Sequence, residues 1–153
     1  MSKRSIIFFI LLVFILFNTS NTYSSSKGDY ELQEKCGKRC EEFFKKEHGN
    51  AFIDIDIISA TFSYNNHFNN KLKKCFILLT TNGFMKDKTG KTRDKEGNIY
   101  EKVKFKTLKD INENKVFGSL IVTSKSFIHC EVMLNYCNSE EEWDLLVKPY
   151  MEE

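Results

Sequence analysis

Residues 100–108 read Y-E-K-V-K-F-K-T-L, and the residue type changes at almost every position of this segment. Successive side chains of a β-strand point to opposite faces, so the alternation predicts a strand. Four further segments carry apolar residues in short runs or in alternation, which is also typical of strands. The five predicted strands cover residues 52–62, 74–81, 100–108, 115–124 and 126–133.

Two polar segments between these strands are predicted to be connections. Residues 65–70 read N-N-H-F-N-N, which places His67 in a turn. Residues 82–98 are rich in Lys, Asp, Thr and Gly, a composition typical of an exposed hairpin loop. Both connections are therefore expected to be accessible to a partner.

Two helices are predicted on either side of the strands in the chain. Residues 30–47 place apolar side chains at intervals of three and four, on one face of a helix. Residues 139–142 read S-E-E-E, a capping box in which the hydroxyl and the third carboxylate bind free backbone N–H groups. We predict one α+β domain over residues 27–153, with an N-terminal helix, an antiparallel sheet of about four to five strands, and a short C-terminal helix. Both helices are expected on one face of the sheet.

The first 26 residues have the three parts of a secretory signal peptide. Lys3 and Arg4 precede an apolar run over residues 6–17, and a segment rich in Ser, Asn and Thr follows. Twelve helical residues span about 18 Å, which is too short for a hydrocarbon core of about 30 Å. We therefore predict a signal peptide over residues 1–26, export to the periplasm or medium, and no stable membrane span after cleavage.

The charge balance argues against a nucleic-acid partner. The chain has 23 basic and 21 acidic residues, and two of the basic residues lie in the predicted signal peptide. The remaining domain then has 21 residues of each sign, without the basic excess that phosphate binding requires. The sequence does not identify the partner, and a protein or a component of the cell envelope is the candidate.

Five cysteines in an exported chain predict disulfide bonds, with one cysteine left over. Cys130 and Cys137 are close enough in sequence to close a small loop between the last strand and the last helix. Cys75 begins a strand and could pair with Cys36 or Cys40, which lie one turn apart on the inward face of the first helix. Cys36 is preferred, which leaves Cys40 unpaired, because the adjacent Gly37 would let the strand approach closely.

Cys36 and Cys40 also permit a sharper hypothesis, a thiol redox protein. Three basic residues lie nearby and could lower a thiol pKa. Redox pairs, however, usually sit at the start of a helix after a strand, whereas these two cysteines lie inside a helix and face the core. The histidines show no ligand spacing with the cysteines, so no metal ligand is predicted.

No pattern in the chain predicts catalysis. There is no Gly-rich phosphate loop, no G-x-S-x-G and no H-E-x-x-H, so we expect neither an enzyme nor a cofactor. The candidate binding surface combines His67 with a basic loop, although ordinary solvated surface explains the same residues. The basic residues of this candidate surface are Lys86, Lys88, Lys91, Arg93 and Lys95.

Three segments resemble a family of small exported bacterial proteins. They are residues 32–38 (L-Q-E-K-C-G-K), residues 64–76 (Y-N-N-H-F-N-N-K-L-K-K-C-F) and the cysteine-containing tail over residues 130–150. Together they reach from the first helix to the last. The resemblance implies a bacterial envelope or secreted setting, and it implies no activity, cofactor or site residue.

Three functions are consistent with these observations. The first is a non-enzymatic, disulfide-stapled module of the envelope or the medium that binds a protein or cell-wall partner. The second is an inhibitor of an extracellular hydrolase that inserts residues 84–98. The third is the thiol redox protein that uses Cys36 and Cys40.

Overall fold

The computed structural model describes residues 27–48, 57–86 and 100–152, and the predicted signal peptide lies outside these residues. The described chain confirms the α+β class, with a helix at each end and strands between them. The helices are α1 (Lys27–His48) and α2 (Glu140–Met151). The strands are β1 (Ile57–Asn69), β2 (Lys74–Lys86), β3 (Tyr100–Asp110), β4 (Lys115–Thr123), β5 (Phe127–Val132) and β6 (Asn135–Tyr136).

The strands form one antiparallel sheet whose spatial order follows the chain order, β1-β2-β3-β4-β5-β6. Each described strand pairs with the next one along the chain. The strand count exceeds the predicted four to five because a two-residue turn adds β6 after β5. Met133 and Leu134 form this turn with φ of 46° and 69°, the left-handed values that suit tight hairpins.

The two helices cover opposite faces of the sheet. Helix α1 packs with Cys75 and Ile77 of β2. Trp143 of α2 packs in a cluster that contains Phe76, the residue between them. Because neighbouring residues of a strand point to opposite faces, β2 contributes to both cores, as an apolar run typically does in a strand that is covered on both sides. The prediction that both helices share one face is wrong, since that apolar run required two layers.

Strand β1 continues through most of the segment that was predicted to be a connection. Residues 65–69 pair with residues 74–78 of β2, and the turn comprises residues 70–73, with Lys73 at φ 55°. The polar side chains fit a strand here because distant groups satisfy them. The Asn69 amide donates to Pro149 O at 2.8 Å, and its carbonyl accepts from Leu72 N at 2.8 Å.

Strand β2 is also longer than predicted. Residues 82–86, which were assigned to the loop, pair with β3, and residues 82–85 also pair with β1 on the other side. The rest of the predicted hairpin loop, residues 87–98, lies outside the described residues. Pairing on both sides explains the extension, because the backbone groups of residues 82–86 find partners that local composition does not reveal.

Helix α2 is anchored by an aromatic core. Trp143 is fully buried, and Phe76, Phe117 and Tyr150 pack edge to face with ring centroids 5.1–5.7 Å apart. Gly118 makes room for this packing, because a Cβ at this position would lie 3.1 Å from Trp143 Cη2 and 2.8 Å from the backbone oxygen of Glu131. The α2 face is therefore packed closely along the middle of the sheet.

Candidate functional site

The sheet face that α2 covers continues beyond the start of this helix as an open groove. Its floor follows the strand register, since Thr61, Asn82, Lys104 and Val122 lie opposite one another across β1 to β4. The next row contains Ser59, Phe84 and Lys102. The cavity measures about 490 Å³, a volume typical of sites for small ligands or single side chains.

The groove is open because α2 begins at its edge. Ser139 is the N-cap, and its hydroxyl accepts a hydrogen bond from Glu142 N at 3.1 Å. The Glu142 carboxylate accepts from Asn138 N at 2.7 Å, one residue before the N-cap, so a variant of the capping box fixes the first turn of the helix. The helix body then runs away from the groove over the aromatic core, and Glu140 remains as the wall at this end.

A lysine ladder on β3 joins the groove to α2. Lys104 Nζ lies 2.9 Å from the Glu140 carboxylate, and Lys106 Nζ lies 2.8 Å from Glu140 and 2.9 Å from Asp144. Burial alone would raise the pKa of Glu140, but the hydrogen bonds from both lysines hold that pKa below its ordinary value. Burial would likewise lower the pKa of Lys106, but its two carboxylate partners raise it.

Lys102 differs from the other two lysines of the ladder. Its side chain is exposed at the rim of the groove, and it forms no ion pair with any residue of the described ranges. Phe84 stands across the strand pair from it and is 42% exposed. Among the described residues, the groove therefore presents an aromatic ring beside a cation that has no acidic partner, which suits a ligand with an apolar group next to an anionic one.

The second feature of interest is a cluster of three buried cysteines between α1 and β2. The structure contains the disulfide bonds Cys36–Cys75 and Cys130–Cys137, and Cys40 is free. These are the pairs that the sequence analysis preferred, and the presence of disulfide bonds is confirmed. The Cys40 Sγ lies 3.6 Å from Cys75 Sγ and 3.7 Å from Phe76 O, to which it donates.

The environment of Cys40 does not favour thiol redox chemistry. Burial raises the pKa of this thiol to about 12, so it is protonated at neutral pH. A redox cysteine needs the opposite arrangement, an accessible thiolate with a lowered pKa. In addition, Cys36 forms its bond with Cys75 rather than with Cys40.

The predicted binding surface is not assembled in the described chain. His67 lies in β1 opposite Phe76 and is partly buried, so its assignment to a turn is wrong. Lys86 is the last residue of β2 and pairs with Tyr100 at the other end of the sheet. The remaining basic residues, Lys88, Lys91, Arg93 and Lys95, lie outside the described residues.

The groove is not predicted from the sequence, because the composition around Phe84 is typical of a loop. One signal could have found it, the three lysines at alternate positions of β3. Cations on one strand face favour acidic partners, and the acidic start of α2 is the richest source of them in the chain. Placing α2 over Lys104 and Lys106 would have left Lys102 and its row of the sheet open.

Comparisons with protein-family models, with curated proteins and with solved structures found no match, so the groove is interpreted from its own geometry. Neither helix of the described ranges combines the length and the apolar character that a membrane crossing requires.

Proposed function

We propose that this protein is an exported, disulfide-stapled module without catalytic activity that binds a partner in the groove beside α2. The observation that carries the proposal is exposed Phe84 beside Lys102, which has no acidic partner in the described part of the chain, at a cavity of about 490 Å³. An exposed aromatic ring can bury a large apolar area of a partner, and a cation beside it can attract and orient an anion.

The disulfide bonds support the setting of this proposal. Two bridges in one small domain are consistent with an oxidising compartment outside the cytoplasm. The apolar N-terminal segment favours export, and the resemblance to small exported bacterial proteins favours the periplasm or the medium of a bacterium as the compartment. A stapled scaffold also suits binding, because it holds the groove in one shape before the partner arrives.

The partner that fits the groove is a protein or envelope component with an apolar group beside a carboxylate or phosphate. The apolar group would contact Phe84 and Val122 on the floor. The anion would approach Lys102, because Lys104 is already neutralised by Glu140. Phe84 and Lys102 therefore have separate roles, one for the apolar group and one for the anion. Mutation of each residue can test its role independently.

Site-specific photo-crosslinking tests the proposal in cells that export the protein. A photoreactive phenylalanine replaces Phe84, and the matched control carries it at Leu145, which is 69% exposed on α2. We expect a discrete adduct at position 84 and none at position 145. The same adduct should weaken when Lys102→Glu is added. Equal labelling at both positions, or no adduct at position 84, would contradict the proposal.

The hydrolase inhibitor is a second candidate, because Phe84 is exposed where β2 leads into the β2–β3 connection. Deletion of residues 87–96 separates the two functions. An inhibitor would lose all activity against a panel of extracellular hydrolases while the domain stays folded. A groove binder would keep its adduct at position 84.

A further inference from the structure

Three sulfur atoms converge between α1 and β2. Cys36 and Cys40 come from successive turns of the helix, and Cys75 comes from the strand beneath them. All three residues are at least 98% buried, and their Sγ atoms lie within 4.8 Å of one another. A disulfide bond needs only two of these atoms, so the third requires its own explanation.

The arrangement does not favour exchange of the disulfide partner. A thiolate attacks a disulfide along the line of the S–S bond, and the departing sulfur leaves from the far side. The Cys40 Sγ lies 3.6 Å from the Cys75 Sγ, which is bonded to Cys36, so a linear arrangement would separate Cys36 and Cys40 by that distance plus an ordinary S–S bond of about 2 Å. The Sγ atoms of Cys36 and Cys40 are closer together than this sum, because they lie within 4.8 Å. The sulfurs therefore form a triangle.

A triangle of thiols is the donor set of a soft metal ion. Two thiolates on one tetrahedral zinc ion, with Zn–S bonds of about 2.3 Å, lie about 3.8 Å apart. The Cys40–Cys75 separation of 3.6 Å is already close to that value. Cys36 and Cys75 reach it when their bond is opened and the sulfurs move to non-bonded distance.

We propose that Cys36, Cys40 and Cys75 bind one thiophilic d¹⁰ cation of the zinc and cadmium class when the protein is reduced. A thiol or phosphine reductant supplies two electrons, and with two protons these convert the Cys36–Cys75 bond into two thiols. The divalent cation then displaces three protons, because a coordinating thiol is deprotonated even when it is buried. The metal links α1 to β2 as the disulfide does in the oxidised protein.

Cadmium binding to the phosphine-reduced protein, under exclusion of oxygen, tests this proposal. The charge-transfer absorption of thiolate–Cd²⁺ bonds reports binding. Thermal unfolding reports whether the metal binds the folded or the unfolded protein. We expect one equivalent to bind and to raise the midpoint of unfolding of the reduced protein. Metal that binds only to unfolded chains would leave the midpoint unchanged or lower it.

Cys40→Ser is the decisive variant, because oxidation still leaves its Cys36–Cys75 bridge intact and its fold can be verified in that form. Loss of a direct ligand should weaken Cd²⁺ binding by more than the roughly 10- to 100-fold that follows loss of an outer-shell partner. Reduction also opens Cys130–Cys137, so Cys137→Ser is the matched control and should retain tight binding. Equal affinity of wild type and Cys40→Ser, or binding to the oxidised wild type, would overturn the proposal.

Discussion

The layers on the two faces of the sheet are stabilised by different means. Among the described residues, the α1 core contains five buried side chains, and three of them are cysteines: Cys36, Cys40, Phe68, Cys75 and Ile77. The α2 core contains nine, with Trp143 and the edge-to-face aromatic rings at its centre. The α2 layer has a large apolar core, to which its own disulfide between Cys130 and Cys137 belongs, whereas the small α1 core depends on the Cys36–Cys75 link between helix and sheet. The two faces of a single sheet thus differ in the size of their apolar core and in what their disulfide joins.

The polar contacts follow the same division. The Gln33 side chain of α1 accepts from Phe68 N at 2.6 Å and donates to Asn66 at 3.1 Å. It therefore binds the side of β1 that faces away from β2. In the α2 layer the polar contacts include the ion pairs of Lys104 and Lys106 beside the groove and the bond from the Asn69 amide to Pro149 O near the end of the helix. Charged groups therefore contribute to the α2 layer, whereas Gln33 links α1 to β1 through neutral hydrogen bonds.

Removal of the central indole should have the largest effect. We expect Trp143→Ala to lower the free energy of unfolding by about 3–5 kcal/mol, since it empties the middle of the α2 core. Trp143→Phe should cost less, because the indole N–H has no acceptor among the described residues and the ring retains much of the packing. Urea unfolding of the oxidised proteins measures both, with exposed Leu145→Ala as control. A loss for Trp143→Ala as small as that of Leu145→Ala would refute the packing account.

The second largest effect should come from removal of a disulfide bond, and its size should differ between the two layers. Replacing Cys36 and Cys75 together with Ala removes a link between residues 39 positions apart, which stabilises by about 4 kcal/mol through the unfolded state. The bridge between Cys130 and Cys137 spans seven positions and should contribute about 2 kcal/mol. Denaturant unfolding of the two double variants gives the ratio. If the short bridge proved the more costly to remove, the α1 layer would not depend on its covalent link.

The two glycines near the cores should respond in opposite directions. Gly118→Ala should destabilise by about 1–3 kcal/mol, because its Cβ would meet backbone and the Trp143 ring. Gly37→Ala should stabilise by about 0.5–1 kcal/mol, because its nearest neighbour would be Asn66 Oδ1 at an ordinary 3.6 Å. Thermal unfolding of the two alanine variants checks the signs. Destabilisation by Gly37→Ala would show that α1 and β1 need closer contact than this distance indicates.

The smallest effect should come from the carboxylate beside the groove. The pKa of Glu140 is lowered in the folded protein, so its contribution to stability is present above its ordinary value of 4.5 and is lost as the pH falls through the lowered pKa. We expect Glu140→Gln to be less stable than wild type near neutral pH, and the difference to shrink in acid. Unfolding midpoints of the two proteins, measured from neutral pH into acid, give the difference in stability. A difference that grows in acid would contradict the ion-pair assignment.

Local sequence patterns predicted the elements whose partners are near in the chain. Three features depend only on residues a few positions apart in the chain: the alternation in β3, the capping box of α2 and the spacing of Cys130 and Cys137. The α+β class followed from these elements. Glycine at position 37 was interpreted as room for a close approach, but the distance to Asn66 shows that no special room is needed there.

Features that depend on distant contacts could not be predicted in this way. The Asn-rich end of β1 is a strand because α1 supplies Gln33 and α2 supplies the carbonyl of Pro149, far away in sequence. The groove depends on where α2 begins relative to Lys104, a relation that only the folded sheet establishes. The face of the sheet on which each helix packs also depends on contacts that are distant in the sequence.

The shared use of β2 by both cores has a consequence for folding fidelity. A slip of this strand by one residue would turn Phe76 towards α1 and Cys75 towards α2, and both layers would lose their central contacts at once. Register is weakly specified in strands that bury no face in a core. In β2 both faces are buried, and the residues of one face do not fit the core on the other. Misaligned pairings of β2 are therefore strongly disfavoured, and the correct alignment of this hairpin strand sets the alignment of the whole sheet.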